Sequence, residues 1–396
     1  MTGERSANTQ TKEKLRKANS VQTKKAGEFS TNRKESGRYP QIRIDLAKLL
    51  HNVRYVTDRC RDIGIDVAGV IKGTTALPPC IEVFARGGSA QIASSRMEQL
   101  KAAKAMNLGK ELMMIRIPML SEIKDVIETA DISLNSERKV LFALNEEAGR
   151  QGKKHKVIVM ADVGDLREGF WDKAEMEDVC LAVERDMPHL ELLGIGTNVG
   201  CYGSVLPTKE KLEELVALAR RIEKSLGRKL RYVSGAATSG FMRVMDGDMP
   251  EGINHLRIGE GILLARDFDV AYGYDTSAFC RDVYTLRAEV IEVKKKASYP
   301  QGTLGVDAFG RKPVYTDRGE RMRALVALGR ADYGDPADIF PKDGRIEVLG
   351  ASSDHTILDV EAVEERPQVG DIIEFDIDYA SMVYLTNSAN VRKVYV

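Results

Sequence analysis

Apolar and polar positions change rhythm three times along the chain. Up to residue 38 Lys, Thr, Ser and Asn dominate and no apolar face recurs. From Pro40 onward, Gln41-Ile42-Arg43-Ile44-Asp45-Leu46 alternates with the period of a half-buried strand. Leu46, Leu49, Leu50, Val53 and Val56 then recur at helical spacing, with Asp45 placed to cap that helix and Gly64 to end it. Val67–Ile71 is a short apolar run that predicts a buried strand, and Lys72 stands at its C-terminal end. Residues 81–87 and 97–106 read as helices and Glu111–Ile117 as a buried strand, while Ser121 is placed to cap a helix over Glu122–Glu128. Further strands are predicted at Lys156–Met160, Leu192–Gly196, Leu230–Ser234 and His255–Ile258. Between them Lys209–Leu226 is strongly amphipathic.

Apolar strands separated by helices signal βα units and a parallel sheet buried on both faces. About eight such units fit before residue 275, the length of a (β/α)8 barrel. Past Asp282 the helical period fades. Val283–Val293, Ala324–Leu328, Arg345–Leu349, Thr356–Val360, Ile372–Ile377 and Val391–Val396 read as strands, and Asp343-Gly344 as a hairpin turn. The fold class is therefore α/β, with an N-terminal barrel over residues 39–275 and a mostly antiparallel β domain over residues 276–396. Residues 1–38 carry ten Lys/Arg against four Glu and cannot bury a core, so a basic, disordered tail is expected there.

Composition narrows the function classes. The formal net charge is zero, which removes any electrostatic case for nucleic acid or a membrane surface. No apolar run approaches the roughly 18–20 residues that span a bilayer, nor does the start carry a signal-peptide core. Cys60, Cys80, Cys180, Cys201 and Cys280 are odd in number, scattered and without a CxxC pair. They read as reduced thiols of a cytoplasmic protein. Five widely spaced histidines suggest no metal site.

Active sites of parallel barrels lie at the C-terminal ends of the strands. Four segments put polar or glycine residues there: Lys72-Gly73-Thr74, Asp162–Arg167, Ser234–Gly240 and Arg257–Gly261. A lysine after four apolar residues either snorkels to solvent or is used, its ammonium disfavoured by a dry site so that it can form an imine. The two late, small-residue loops are either ordinary glycine turns or backbone cradles for a phosphate. An early lysine with a late phosphate cradle is the pair that a pyridoxal phosphate enzyme needs.

These segments, in this order, resemble the alanine racemase superfamily, and within it the ornithine-racemase-like branch. The resemblance rests on Tyr39-Pro40, Ile44-Asp45-Leu46, Gly69–Gly73, Ser94-Ser95-Arg96, Asp162–Gly169 and Asn254–Gly261. It continues with Ser298-Tyr299-Pro300, Asp307–Gly310, Leu349–His355 and Val369-Gly370-Asp371. It implies a pyridoxal-phosphate-dependent racemase of a free amino acid, and a head-to-tail homodimer whose barrel mouths are completed by the partner's β domain. It makes Lys72 the Schiff-base lysine and sets Arg257 against the pyridine nitrogen. Thr238, with the amides of Gly259 and Glu260, would take the phosphate, and Ser234, which opens that loop, is a further cofactor-binding candidate. Arg167 would lie near the phenolic oxygen and Asn198 beneath the ring.

The pattern also departs from alanine racemases. Ala76, Met160 and the Ala389-Asn390 region stand where those enzymes carry a tyrosine, a lysine and a second tyrosine, which argues against an alanine racemase proper and is compatible with ornithine or another cationic amino acid as substrate. Phe309 aligns with the tyrosine that serves as second base and has no proton to exchange. Asp307, Asp354 and His355 are the candidates for that base, with Tyr299 nearby. Two other readings remain open at this level. One is a decarboxylase or D-threonine-type aldolase of the same fold. The other is a non-catalytic cofactor-holding protein, against which the long β domain argues.

Overall fold

A computed structural model describes residues 37–396. The expected tail, residues 1–38, lies almost wholly outside them. The described chain divides into two compact units. One comprises Leu46–Ala265 with Thr276–Cys280; the other comprises the segment ending at Asp45, Arg266–Asp275 and Arg281–Val396.

The first strand, β1 (Gln41–Ile44), belongs to the second unit. The barrel of the first unit begins with β2 (Asp66–Val70) and continues through β3 (Gln91–Ser94), β4 (Glu111–Met114) and β5 (Ile132–Asn135). It closes through β6 (His155–Ala161), β7 (Leu190–Thr197), β8 (Tyr232–Gly235) and β9 (His255–Ile258). Every pairing is parallel, and β9 returns to β2 through Asp66↔His255 and Ala68↔Arg257. Ala68, Val70, Ala93, Met113, Ile132, Leu134, Ile158, Met160, Leu193 and Tyr232 form one packed, buried cluster of strand residues. Each large apolar side chain buried this way contributes about 1.5–3 kcal/mol. The connecting helices follow the sequence periodicity. Lys209–Leu226 matches its predicted bounds and is capped by Thr208, whose hydroxyl accepts from Lys211 N.

Two barrel strands escaped the sequence pattern, and both are short and partly polar. In β3, Gln91 donates to Tyr232 Oη at 3.1 Å and Ser94 to Gln99 at 2.5 Å. In β5, Ser133 Oγ meets His155 Nε2 at 2.8 Å, and Asn135 donates to that same hydroxyl at 3.0 Å. The buried side chains of Gln91, Ser94 and Ser133 are tolerated there because each finds a partner, but they erase the apolar run that marks a buried strand.

In the second unit the sheet runs β12 (Ile339–Pro341), β15 (Ile372–Ile377), β10 (Tyr284–Ala297), β11 (Glu320–Val326), β14 (Thr356–Asp359) and β13 (Glu347–Ala351). All of these neighbours are antiparallel. β1 pairs antiparallel with β10 and parallel with β16 (Arg392–Tyr395). Thus residues 39–45, expected to open the barrel, instead extend the β sheet, and residues 266–275 go with them. The helix Tyr379–Asn387, capped by Asp378, interrupts the strands late in this unit.

Two local expectations are also corrected. Asp343-Gly344 does not close a hairpin, because the flanking β12 and β13 pair with β15 and β14 rather than with each other. Asp343 instead accepts from Arg345 N at 3.0 Å. Ser121 does not cap the helix Ile123–Thr129. The chain enters that helix through a turn over Leu120–Glu122, where the Glu122 carboxylate accepts from Met119 N at 2.9 Å.

Candidate active site

Lys72 leaves the end of β2 in a single helical turn, Lys72–Thr74, and is half-buried. Thr75 and Ala76 follow with φ of +48° and +55°. Left-handed backbone at non-glycine residues costs about 1–3 kcal/mol each and persists where surrounding structure enforces it, often beside a functional group. Burial lowers the Lys72 pKa below the ordinary lysine value. The neighbouring Cys201 and Glu168 oppose that shift, while Arg167 and Arg96 add to it. The amine is therefore available at lower pH than a surface lysine would be.

The loop after β6 supplies Arg167 and Glu168. The Glu168 carboxylate grips the Arg167 guanidinium through Nε and, at 2.5 Å, Nη2. Arg167 Nη1 is left to donate to Cys201 Sγ at 3.1 Å. This loop is anchored by two acids. Asp162 accepts from the amides of Gly164 and Leu166 at 2.8 and 3.2 Å. Asp165, almost fully buried, accepts from Gly200, Cys201, Tyr202 and Val205 at 3.0 to 3.4 Å. Asp165 thereby ties the β6 loop to the β7 loop and holds Cys201 beside Arg167. Gly203 must be glycine for this fit: a Cβ there would lie 2.5 Å from Asp165 O. Asn198, next after β7, is 6% exposed, and its Nδ2 donor has no hydrogen-bond partner. An unsatisfied buried donor at a barrel mouth awaits a ligand acceptor.

The β8 and β9 loops meet as expected. Thr238 Oγ1 accepts from the amides of Gly259 and Gly261 at 3.3 and 3.2 Å. The intervening Glu260 is buried and opens a short helix. Ala236 sits at φ +79° between the two glycines Gly235 and Gly240. Arg257 is 3% exposed; it donates through Nη1 to Ser234 Oγ and through Nη2 to Thr197 O at 2.6 Å. Burial lowers its pKa to about 10, with Glu168 opposing the shift and Arg167 adding to it. Ser234 is fully buried, and its hydroxyl also meets His255 Nδ1 at 2.7 Å. It supports Arg257 from behind.

The remaining candidates belong to the second unit and gather around Arg330. Asp307 Oδ1 accepts from Phe309 N and Arg311 N at 2.9 and 2.8 Å, closing a tight turn. Those hydrogen bonds, that from Arg311 first, hold its carboxyl below the usual range. The Phe309 ring lies 4.9 Å under the Arg330 guanidinium. Arg330 N donates to Ser352 O at 2.9 Å, at the turn that carries Asp354 and His355. Both of these are exposed. Gly329 makes the approach possible, since a Cβ there would sit 2.1 Å from Ser353 O.

Sequence reasoning passed over Asp165, Glu168 and Cys201. Glu168 and Asp165 flank Arg167 in a motif already singled out; Glu168 grips its own neighbour Arg167, whereas the partners of Asp165 lie in the β7 loop, so no local spacing announces that contact. Among the described residues no three His, Cys, Asp or Glu side chains assemble as metal ligands.

Comparison with known proteins is consistent with this geometry. The sequence profile described as "Alanine racemase, N-terminal domain" matches residues 44–267. An ornithine racemase of Acetoanaerobium sticklandii is 39% identical over 355 residues, covering 90% of this chain and 99% of that one. A lysine racemase of Thermotoga maritima is 37% identical over 357 residues, covering 90% and 98%. The crystal structure of alanine racemase from a D-cycloserine-producing Streptomyces lavendulae shares the fold, with a TM-score of 0.72 at 18% identity over 91% of this chain and 98% of that one. A D-threonine aldolase from Filomicrobium marinum also shares it, at 0.67 and 14% over 88% and 89%.

Proposed function

The chain belongs to the alanine racemase family and is an amino-acid racemase that works with pyridoxal 5′-phosphate; on that premise we propose that it interconverts the L and D forms of a free cationic amino acid, ornithine or one close to it. The observation that carries the substrate class is the pair of relatives matched over nine-tenths of the chain. They are named for ornithine and lysine, whose side chains both end in an ammonium.

The residues at the barrel mouth suit the cofactor. Lys72 would hold it covalently through Nζ, because burial keeps that amine available. Thr238 and the amides of Gly259 and Glu260 would hold its phosphate. Asn198 has a free donor for it, and Arg167 would lie near its phenolic oxygen. Bound there, the cofactor supplies an electron-withdrawing ring that makes the substrate's α-proton removable. Arg257 would meet the pyridine nitrogen. Even with its pKa at about 10 it stays cationic at neutral pH, so it offers hydrogen bonds and yields no proton. That favours rapid reprotonation of the α-carbon over side reactions.

Racemisation needs a proton carrier on each face of the α-carbon. Lys72 Nζ serves one face. We assign the other to the β domain of a partner subunit in a head-to-tail homodimer, from Asp307, Asp354 or His355. The Asp307 carboxylate is engaged by two amides of its own turn, which lowers its basicity. Asp354 and His355 are exposed and better suited. The free cysteines among the described residues support a cytoplasmic location.

The test is a chirality-resolved panel of free amino acids with the purified protein in deuterated water. Ornithine or lysine should exchange and racemise fastest, and borohydride should fix the cofactor on Lys72. Fastest turnover of alanine removes the substrate assignment. Release of carbon dioxide, or retro-aldol cleavage without racemisation, removes the proposed reaction.

A further inference from the structure

A hydrogen-bonded chain runs inside the barrel from its N-terminal rim to Arg257. Asp66, Gln91, Tyr232 and His255 are the first residues of β2, β3, β8 and β9, and Ser234 and Arg257 stand two residues further along β8 and β9. Tyr232 Oη donates to Asp66 Oδ2 at 2.9 Å, and Gln91 Nε2 donates to Tyr232 Oη at 3.1 Å. His255 Nε2 lies 3.2 Å from Gln91 Oε1, and His255 Nδ1 lies 2.7 Å from Ser234 Oγ, which in turn accepts from Arg257 Nη1. Asp66 is exposed, whereas the other five residues are each no more than 3% exposed.

The two ends fix the direction of every bond. A guanidinium only donates and a carboxylate only accepts. Because Arg257 donates to Ser234, the serine hydroxyl is free to donate to His255 Nδ1. His255 then carries its hydrogen on Nε2 and donates to Gln91 Oε1. Gln91 passes the same sense to Tyr232, and Tyr232 to Asp66. Burial, with the Arg257 charge, depresses the His255 pKa to about 3, in keeping with a neutral ring that has one donor and one acceptor nitrogen. Aligned bonds of this kind polarise one another. A reversed chain would end with two donors facing Ser234 and its own hydrogen without an acceptor.

We propose that this chain positions the cofactor-facing guanidinium: Asp66, at the far rim of the barrel, sets the hydrogen pattern of Tyr232, Gln91, His255 and Ser234, and through them holds Arg257. The proposal rests on the functional reading above only for the identity of the group that Arg257 meets. Asp66 and Tyr232 are positioning residues, since neither touches the cofactor. In Asp66→Asn the new amide can donate to Tyr232, so the chain loses its one-way anchor and the conflict moves to Ser234 and Arg257. In Tyr232→Phe the link is cut while the ring packing is kept.

The experiment follows the ring nitrogens of His255 by nitrogen-15 NMR in the cofactor-free and cofactor-loaded protein, alongside kinetics and the cofactor's visible spectrum. The wild type should show the Nε2–H form alone. Asp66→Asn and Tyr232→Phe should each populate the Nδ1–H form, shift the visible band and lower kcat about tenfold with KM changed little, within the ~10²-fold range that remote misplacement costs. Asp66→Glu should restore all three readouts towards wild type. Wild-type tautomer, spectrum and kcat in both variants would overturn the proposal. So would a changed tautomer with unchanged spectrum and kcat. Should one variant not fold, the other and Asp66→Glu still decide. If the protein takes up no cofactor, the functional reading fails, while the tautomer measurement on the cofactor-free protein still decides whether Asp66 orders the chain.

Discussion

Acid should weaken the barrel before it touches most carboxylates, and two buried histidines set the size of the effect. Burial is the main cause that holds the His155 pKa at about 4 and the His255 pKa at about 3, against 6.5 for an ordinary histidine. In the folded protein both rings stay neutral through the window in which the unfolded chain takes up two protons. The unfolded state then binds more protons, so stability falls as pH falls. The loss begins below 6.5 and continues to about 4 for His155 and about 3 for His255. Each ring contributes about 1.4 kcal/mol per pH unit in that window, or about 4 kcal/mol for the pair by pH 5. Carboxylates whose pKa is lowered, such as Asp343 beside Arg345, act only at still lower pH. Urea unfolding of the cofactor-free protein, followed by circular dichroism at pH 7, 6 and 5, measures this slope. His155→Gln keeps a partner for Ser133 and should remove about half of it, roughly 2 kcal/mol between pH 6.5 and 5. A variant with the wild-type slope would refute the reasoning, because His155 would then be charged in the folded state or solvated.

Other expectations follow from the site. Covalent uptake of pyridoxal phosphate should rise with pH and reach half its maximum below 10.5, because burial lowers the Lys72 pKa; Lys72→Ala should take up no cofactor that borohydride can fix. Asp165→Asn puts an amide donor among four amide N–H groups and should cost about 3 kcal/mol, read as lost barrel stability and faster hydrogen exchange at residues 200–205. Gly329→Ala should displace the turn carrying Asp354 and His355 and cost about 2 kcal/mol. If either residue is the second base, kcat should fall more than KM rises, and in one enantiomer direction more than the other. Among the described cysteines Cys201 is the exposed one. Iodoacetamide should modify it first, and the adduct beside Arg167 should slow turnover, whereas unchanged turnover after full modification would place Cys201 away from the substrate.

What the sequence decided by itself is what local chemistry decides. The helix Lys209–Leu226 and the strands His255–Ile258 and Ile372–Ile377 follow from periodicity, and their bounds match. Lys72 at the end of an apolar run, and the small residues at Thr238 and Gly259, mark the mouth of a parallel barrel because strand ends carry the groups that need not be buried. Tertiary structure decided the rest, because it turns on which distant residues meet. β1 alternates like a half-buried strand, which names no partner, and it lies against β10, some 240 residues later. The strands β3 and β5 stay hidden in the sequence, because Gln91 and Ser133 interrupt their apolar runs and find their partners, Tyr232 and His155, on other strands. Asp165 became an anchor only when the β7 loop brought four amides to it. Arg257 and Asp66 are 191 residues apart in sequence, and closing the barrel joins them through one directed set of hydrogen bonds. No local pattern encodes that link, since each member reads alone as an ordinary polar residue on a short strand.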